Sequence, residues 1–443
     1  MEKQKTSSII KLGLIAAFIF VGQPNLVRGQ NPILEGMGVS DPHVRVFNDT
    51  IYLYSGHDAT PLDKTWVMRD WRVFSTTDLR NWTLRDTISP KDNYMDDNTT
   101  DCWAGDAATR NGKYYFYFSD RKRGVGVMTS PTPTGPFNDP LGKPLVAPMH
   151  DPTLIMDDDA NRTPYLVYGD KEGGGFHIAK LNEDMISTAE VPKKIEINGE
   201  EWDNAPEWMD KNYIFKHEDT YYLSWGRDYA VSKNIYGPYE SVGSVANGHH
   251  LSQYAHGSFF EWKGQLYHIW CYYLRPGYKF RGCIITYCHM DDDGNIVTDT
   301  DFLDEHKANG VGQYDASWKR IEAEWFYEKS KGIKKQGTRD DGFIVTNIKN
   351  DDYLRFAKVK FDEVREKLAM KVMFEGKRGE LKIRLESPNG KNVGQIDLNG
   401  NTTSNSFDIL EVDLDRIEGT EDIYVVYNGT EGSSIQLDWI QFK

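Results

Sequence analysis

A polar turn followed by an aromatic β-strand recurs five times along this chain, and that repeat constrains the fold more than any other feature. The strands are Tyr52-Leu-Tyr-Ser, Tyr115-Phe-Tyr-Phe-Ser, Tyr165-Leu-Val-Tyr-Gly, Tyr222-Leu-Ser-Trp-Gly and Tyr267-His-Ile-Trp-Cys. The turns before them read FNDT, RNGK, DANRT, KHEDT and EWKGQ, rich in the Asn, Asp and Gly that tight hairpins require. A second motif follows some copies: Ser75-Thr-Thr-Asp-Leu-Arg-Asn-Trp, Ser130-Pro-Thr-Pro-Thr-Gly-Pro-Phe and Ser232-Lys-Asn-Ile-Tyr-Gly-Pro-Tyr. These read as turns before an outer strand. Units of roughly 50 mostly extended residues match blades of four-stranded sheet around a central channel. Five of them predict a five-bladed β-propeller over residues 31–315. A two-sheet sandwich would supply hairpins but gives no reason for five similar aromatic strands.

The composition changes near Lys319. Before it Trp and Tyr are dense. After it come polar, alternating strands at 353–359, 381–385, 423–427 and 435–442, separated by Asn, Gly and Asp. Residues 319–443 therefore read as a β-sandwich of jelly-roll-like kind, and the whole chain as all-β. The best helical candidate is the short segment 362–373.

The N-terminus has Lys3, Lys5 and Lys11, an apolar run over residues 12–21, then Pro24 and a polar exit. This is the pattern of a secretory signal peptide over residues 1–29, cleaved near Gly29 or Gln30. The run is shorter than the ~20 apolar residues that span a bilayer, and no later stretch does so either. The expected product is exported, periplasmic or secreted, with no membrane partner. With 52 Lys+Arg against 67 Asp+Glu the net charge is −15, which disfavours nucleic acid. A monomer is expected. Cys102, Cys271, Cys283 and Cys288 form no CxxC pair, which excludes the common zinc sites. Cys283 and Cys288 are either a disulfide or buried thiols. No nucleotide-binding glycine loop is present.

Two Asp-Pro pairs stand at matching repeat positions, Ser40-Asp41-Pro42-His43 and His150-Asp151-Pro152-Thr153. A following Pro favours an extended Asp, which would aim each carboxylate at the mouth of the channel. In the fourth unit Asn204-Ala-Pro-Glu-Trp-Met-Asp210 precedes the aromatic strand. Carboxylates on opposite sides of a sugar are what glycoside hydrolysis needs. One protonates the leaving oxygen and the other activates water or attacks the sugar. The acid must hold its proton near neutral pH, and a neighbouring carboxylate helps it do so. Tyr and Trp pair an apolar ring with a polar tip and suit sugar clefts; Trp103, Trp208 and Trp225 are candidate platforms, while most of the 12 Trp, 25 Tyr and 20 Phe belong to blade cores. His43 and His150 flank the Asp-Pro pairs and are candidates for hydrogen bonds to sugar hydroxyls. Arg121, Lys122 and Arg123 read as a solvated turn.

At this point the chain resembles glycoside hydrolase family 43, over about residues 31–304. The resemblance rests on Asn31-Pro-Ile-Leu, Asp41-Pro followed by FNDTIYLYS, Cys102-Trp-Ala-Gly before NGKYYFYFS, and Asp151-Pro before DDDANRTPYLVYG. It continues with Lys216 before TYYLSWG and Ala255-His256-Gly-Ser-Phe-Phe-Glu-Trp-Lys-Gly. Residues 124–148 look especially like the arabinoxylan-debranching members. The resemblance implies an inverting glycosidase on a five-bladed propeller. It makes Asp41 the general base, Asp151 the carboxylate that tunes the acid, His256 the central histidine and Arg281 the active-site arginine. The family's acid is a Glu six residues before the position of Lys216, where this chain has Asp210; Glu207 lies three residues upstream. On a regular strand those two face opposite sides. Spacing favours Asp210, residue type favours Glu207, and both stay open.

Arg320-Ile-Glu322-Ala-Glu324, Asp351-Asp-Tyr-Leu354 and the closing Leu437-Asp438-Trp439-Ile-Gln-Phe make residues 319–443 similar to carbohydrate-binding module family 6. Glu322, Glu324 and Asp438 are candidates to hold a structural calcium, which prefers carboxylates. Where that family sandwiches a sugar between aromatics, this chain has Asn347 and Ser404, with Phe407 close by and Gln436 where an Asn is common. The expected activity is removal of α-L-arabinofuranosyl or β-D-xylosyl units from a plant polysaccharide or its oligosaccharides, with no cofactor needed for the chemistry. The alternatives are a non-catalytic, lectin-like propeller, or the same fold acting on another sugar such as galactose.

Overall fold

The structure is a computed structural model that describes residues 27–28, 31–120, 122–147, 149–170, 175–199, 210–246, 248–252, 256–400 and 406–443. Five sheets follow one another, antiparallel except for the short edge strand Ile197–Asn198, which runs parallel to Tyr239–Ser244 in the fourth, and each begins at the molecular axis. The innermost strands are Val39–Phe47, Cys102–Arg110, Met149–Met156, Asn212–His217 and Gly257–Trp262. Each touches the next, and the fifth returns to touch the first, so the ring is closed. The five aromatic strands are the second strands of these blades: Thr50–Asp58, Lys113–Asp120, Pro164–Asp170, Thr220–Trp225 and Gln265–Tyr273. Both faces of a second strand are covered by adjacent blades, which is why its alternation is apolar on each side. The hairpin turns obey the same local rule. Asn48-Asp49, Asn111-Gly112 and Lys263-Gly264 have positive φ at both positions, as two-residue turns matched to strand twist require.

The Ser75 and Ser232 motifs stand before the outer strands Asn81–Ile88 and Tyr239–Ser244. The Ser130 motif leads only to isolated bridges, Thr129 to Asn138 and Val125 to Val146, so among the described residues blade 2 has three full strands. Val27–Arg28 pairs with Asn81–Ile88 as a fifth strand of blade 1. Cleavage near Gly29 or Gln30 would remove that strand.

After the last blade strand, Ile296–Thr298, a short helix Thr300–His306 is capped by the Asp299 side chain, which accepts from the Phe302 amide. Tyr314–Asp315 then runs parallel to Tyr353–Phe361, so the first sandwich strand precedes the 315–319 boundary drawn from composition. Two sheets pack face to face. One is built on Tyr353–Phe361, Gly419–Gly429, Arg378–Leu385 and Asn392–Asn399. The other is built on Lys334–Thr338, Gly342–Ile348, Ser434–Phe442, Lys367–Glu375 and Asp408–Asp413. The segment 362–373 is not helical: Lys367–Glu375 is a strand whose apolar residues alternate into the sandwich. All four cysteines are buried free thiols, so Cys283 and Cys288 form no disulfide.

One apolar core runs through blade 1, blade 5 and the sandwich. Polar contacts stitch the same junction. Gln265 Nε2 donates to the Glu324 and Phe326 carbonyls, Trp325 Nε1 to Asp299 Oδ2, and the Lys335 ammonium to Gln265 Oε1 and the Cys288 carbonyl.

Candidate active site

Asp41 and Asp151 occupy the starts of the inner strands of blades 1 and 3. Both depart from the extended conformation expected before Pro. Their φ angles are 47° and 50°, in the left-handed region. Each lies at a register shift, between Ser40 and His43 in blade 1 and opposite Val167–Gly169 in blade 3. A bulge inserts one residue and re-aims its side chain, at a cost in local strain that the surrounding sheet must hold. Gly56 faces the first bulge. A Cβ there would run into Met68 Cε and lie 2.7 Å from Ser40 Oγ, so Met68 and the residue before Asp41 pack closely here because residue 56 lacks a side chain.

Asp41, Asp151 and Asp210 line one cavity together with Trp66, Trp103, Lys211, His256, Tyr273 and Arg281. Asp41 Oδ1 receives Arg281 Nη1 at 2.7 Å and meets His256 Nδ1 at 3.1 Å. Both donors converge on Oδ1, which leaves Oδ2 for a water in the cavity. Burial opposes ionisation of Asp41, but the Arg281 guanidinium and His256 outweigh it and hold the carboxyl well below its ordinary range. Arg281 is itself held by Asp58, through Nε at 2.9 Å and Nη2 at 2.8 Å. Three of its five N–H donors go to these two carboxylates, and its guanidinium keeps Asp41 charged while lining the same cavity.

Asp210 has the opposite environment. Burial pushes its pKa up; the Lys211 charge opposes this, and Asp151 adds to it. Donor atoms of His150, Asp151 and Asp210 all lie within 4.8 Å of one another. Asp151 Oδ2 accepts from the Lys211 amide at 2.9 Å, while its buried Oδ1 has no protein partner. The site therefore holds one carboxyl kept ionised and one pushed toward its protonated form, with a third carboxylate beside the second.

The other candidates separate. Glu207 and Trp208 lie outside the described residues. Trp103 is on the cavity wall, 5.9 Å from the ring of Trp66, which is 37% exposed. Trp225 is packed in the core between blades 3 and 4, 6.0 Å from Phe176, and is no sugar platform. His43 is fully buried beneath the cavity, its Nε2 3.2 Å from His256 Nε2, so it cannot meet a sugar hydroxyl. Residues 41 and 43 share the axial face of one strand, and the later one lies deeper. His150 is buried beside Asp151. Lys122 pairs with Asp101 and Arg123 with Asp120, as a solvated turn would. Trp66, Asp58, Lys211 and Tyr273 were not anticipated. Lys211 adjoins Asp210, and Asp58 and Tyr273 end two of the aromatic strands, so those three had a readable signal; Trp66, in an irregular loop, had none.

A larger cavity, of about 530 Å³, opens at the far end of the axis. The later residues of all five inner strands line it, among them Arg45, Thr109, Met156, Phe215 and Glu261. It contains none of the three site carboxylates.

In the sandwich, Glu324 is buried with Oε2 unpartnered, and burial together with Glu322 raises its pKa well above the ordinary value. Burial, assisted by Asp438 and opposed by Arg320, pushes Glu322 up to about 7. Glu322 and Asp438 have basic partners, Arg320 and Lys371. Among the described residues these three carboxylates do not converge at ligating distance. Ser404 lies outside the described residues. Asn347 Nδ2 donates to the Gly332 carbonyl at 2.6 Å, and Lys371 Nζ is 5.4 Å from the Phe407 ring centre.

The family model described as Glycosyl hydrolases family 43 matches residues 29–296. The chain belongs to that family. The second model to match, over residues 322–443, is Carbohydrate binding module (family 6). This family 43 chain is 25% identical, over 93% of its length and 74% of the relative's, to an arabinoxylan arabinofuranohydrolase of Paenibacillus polymyxa. It is 24% identical, over 94% and 93%, to an arabinoxylan arabinofuranohydrolase of Bacillus subtilis. Among solved structures it resembles a β-xylosidase/α-arabinofuranosidase from a compost metagenome, in complex with xylotriose, with TM-score 0.53 and 26% identity over 61% of this chain and 97% of that one. The chain is a glycosidase, built as a family 43 propeller followed by a β-sandwich module.

Proposed function

We propose that this chain is an exported, inverting glycosidase that removes α-L-arabinofuranosyl or β-D-xylosyl units from plant polysaccharides or their oligosaccharides. The observation that carries the reading is the opposed ionisation of two carboxyls in one cavity, Asp41 held charged and Asp210 pushed toward its neutral form. In the mechanism Asp41 Oδ2 takes a proton from water as that water attacks the anomeric carbon. Asp210 gives its proton to the departing glycosidic oxygen. Asp151 keeps that proton on Asp210 until it is needed. Trp103 and Trp66 stack on the sugar that remains. The names of the relatives support the choice of pentose, and inversion is carried over from the family.

Sugar release from arabinoxylan, arabinan, xylan and nitrophenyl glycosides, galactosides included, tests the reading, with NMR of the first-formed anomer. Arabinose or xylose released in the inverted configuration supports it. Binding of sugar with no release from any substrate would leave a lectin. Removing the Arg281 charge relieves what depresses Asp41, so Arg281→Gln is expected to move the acid limb of the kcat/KM profile to higher pH. An unmoved limb would separate Arg281 from the ionisation of Asp41.

The module belongs to the same proposal: a structural calcium would be taken at the orphaned Glu324 Oε2, and Glu322 and Asp438 would leave Arg320 and Lys371 to join it. Both glutamates have folded-state pKa values above their ordinary range, so without a cation stability is lost as pH rises from the unfolded value near 4.5 through about 7. Calcium is expected to raise the Tm at pH 7.5 more than at pH 5, reversibly with chelator; equal shifts at both would argue against the site. Export and a monomeric state complete the proposal, tested by N-terminal sequencing of the secreted protein and by light scattering.

A further inference from the structure

Below the cavity floor a string of side chains descends the propeller axis, Asp41 to His256 to His43 to Asp106. His256 Nδ1 is 3.1 Å from Asp41 Oδ1, and His256 Nε2 is 3.2 Å from His43 Nε2. Two nitrogens in contact at that distance share one proton, so one ring donates and the other accepts. The ends of the string decide the direction. Asp41 is bound to the Arg281 guanidinium and has only lone pairs to offer, so the His256 nitrogen facing it must carry the proton. In neutral His256 the other nitrogen is then a bare acceptor, and His43 Nε2 must be the donor. That leaves His43 Nδ1 without a proton.

The lower end is consistent with this. His43 Nδ1 lies 3.6 Å from Asp106 Oδ1 and makes no hydrogen bond. Asp106 has no need of it. Its Oδ1 accepts Arg45 Nε at 2.8 Å and the Ala107 amide at 2.7 Å. Its Oδ2 accepts Arg45 Nη2, the Leu154 amide at 2.8 Å and Thr153 Oγ1 at 3.3 Å. Five donors fill a carboxylate's acceptor capacity of about four lone-pair sites. The Tyr213 ring packs at right angles to His43, 5.4 Å away between centres, and closes another side of the imidazole.

We propose that His43 is a positioning residue that holds His256 in the Nδ1–H tautomer and thereby keeps Asp41 Oδ1 occupied and Oδ2 turned to the attacking water. The inference rests on Asp41 being the base. With the other tautomer a bare nitrogen would face the charged Oδ1, and only Arg281 would hold that oxygen. The role is distinct from binding sugar, because His43 reaches no cavity surface.

The test uses the full-length protein labelled with 15N-histidine, beside kinetics on nitrophenyl arabinofuranoside and xyloside. Wild-type His256 should show one protonated and one bare nitrogen at neutral pH. His43→Leu removes the donor. It should lower kcat about tenfold to hundredfold with little change in KM, as loss of a histidine's orienting partner does, and should give His256 a mixture of tautomers. His43→Gln keeps an N–H at similar reach and should recover most of the rate. A doubly protonated His256 in the wild type would overturn the proposal even if His43→Leu failed to fold. So would unchanged kcat and an unchanged His256 spectrum in that variant. A wild type that hydrolyses nothing would instead overturn the functional reading, while its 15N spectrum still reports the tautomer.

Discussion

Asp41→Asn is expected to abolish most of the activity, lowering kcat by about 10²–10⁴-fold, on nitrophenyl arabinofuranoside and on arabinoxylan alike. Asn retains an oxygen for Arg281 and His256, so the bulge at residue 41 keeps its partners. What it loses is the second oxygen, the one free to take a proton from water. Asp210→Asn should behave differently. Nitrophenolate leaves without much help from an acid, whereas a sugar alkoxide does not. The Asp210 variant should therefore fall by a similar factor on the polysaccharide and much less on the nitrophenyl substrate. That divergence is the signature of the proton donor, and kcat for both substrates with Asp41→Asn, Asp210→Asn and Glu207→Gln measures it. If Glu207→Gln shows the divergence and Asp210→Asn does not, the acid is Glu207.

The second large effect is on folding. A chain ending before Tyr314 should give little soluble propeller, because the core of blades 1 and 5 is continuous with that of the sandwich. Truncation would expose Trp262, Tyr267 and Tyr287 from the propeller side of that core and leave the Gln265 amide and the Asp299 carboxylate without Glu324, Phe326 and Trp325. Against a net stability of about 5–15 kcal/mol, exposing these three aromatic side chains and stranding these two polar groups is decisive. A milder version asks the same question. Trp325 is 2% exposed at the centre of the junction, and Trp325→Ala should cost about 3–5 kcal/mol. Denaturant unfolding should show one transition in the wild type. Separate transitions for propeller and sandwich, with the truncated chain soluble and active, would refute the shared core.

The parts that were legible in the chain are those governed by local rules. Tyr115-Phe-Tyr-Phe-Ser after Asn111-Gly112 declares a hairpin and a strand covered on both faces, and four similar segments declare the blades. Asp41 and Asp151 could be picked out because their Asp-Pro pairs recur at equivalent places. Their conformation could not, since a bulge is a relation between two strands and residue 41 alone does not reveal that Gly56 lies opposite. The same limit explains Arg281, whose two carboxylate partners are more than 200 residues away in sequence. It explains His43 too. Its spacing from Asp41 shows a shared face but not how deep in the channel that face continues. The segment 362–373 reads as the best helical candidate because Asp362, Glu363, Arg365, Glu366 and Lys367 obscure the alternation, and the pairing of Lys367–Glu375 with Ser434–Phe442 makes it a strand.

The junction at Gln265, Trp325 and Lys335 also bears on how such a molecule can approach a polymer. Two modules joined by a flexible linker sample a range of separations, and the second engages with whatever local concentration the linker allows. Here no such slack exists. A stretch of substrate held anywhere on the sandwich would meet the catalytic mouth at one offset, like two marks on a ruler. The decorations removed would then be those spaced along the backbone to match that offset, so the cutting pattern becomes a matter of register rather than reach.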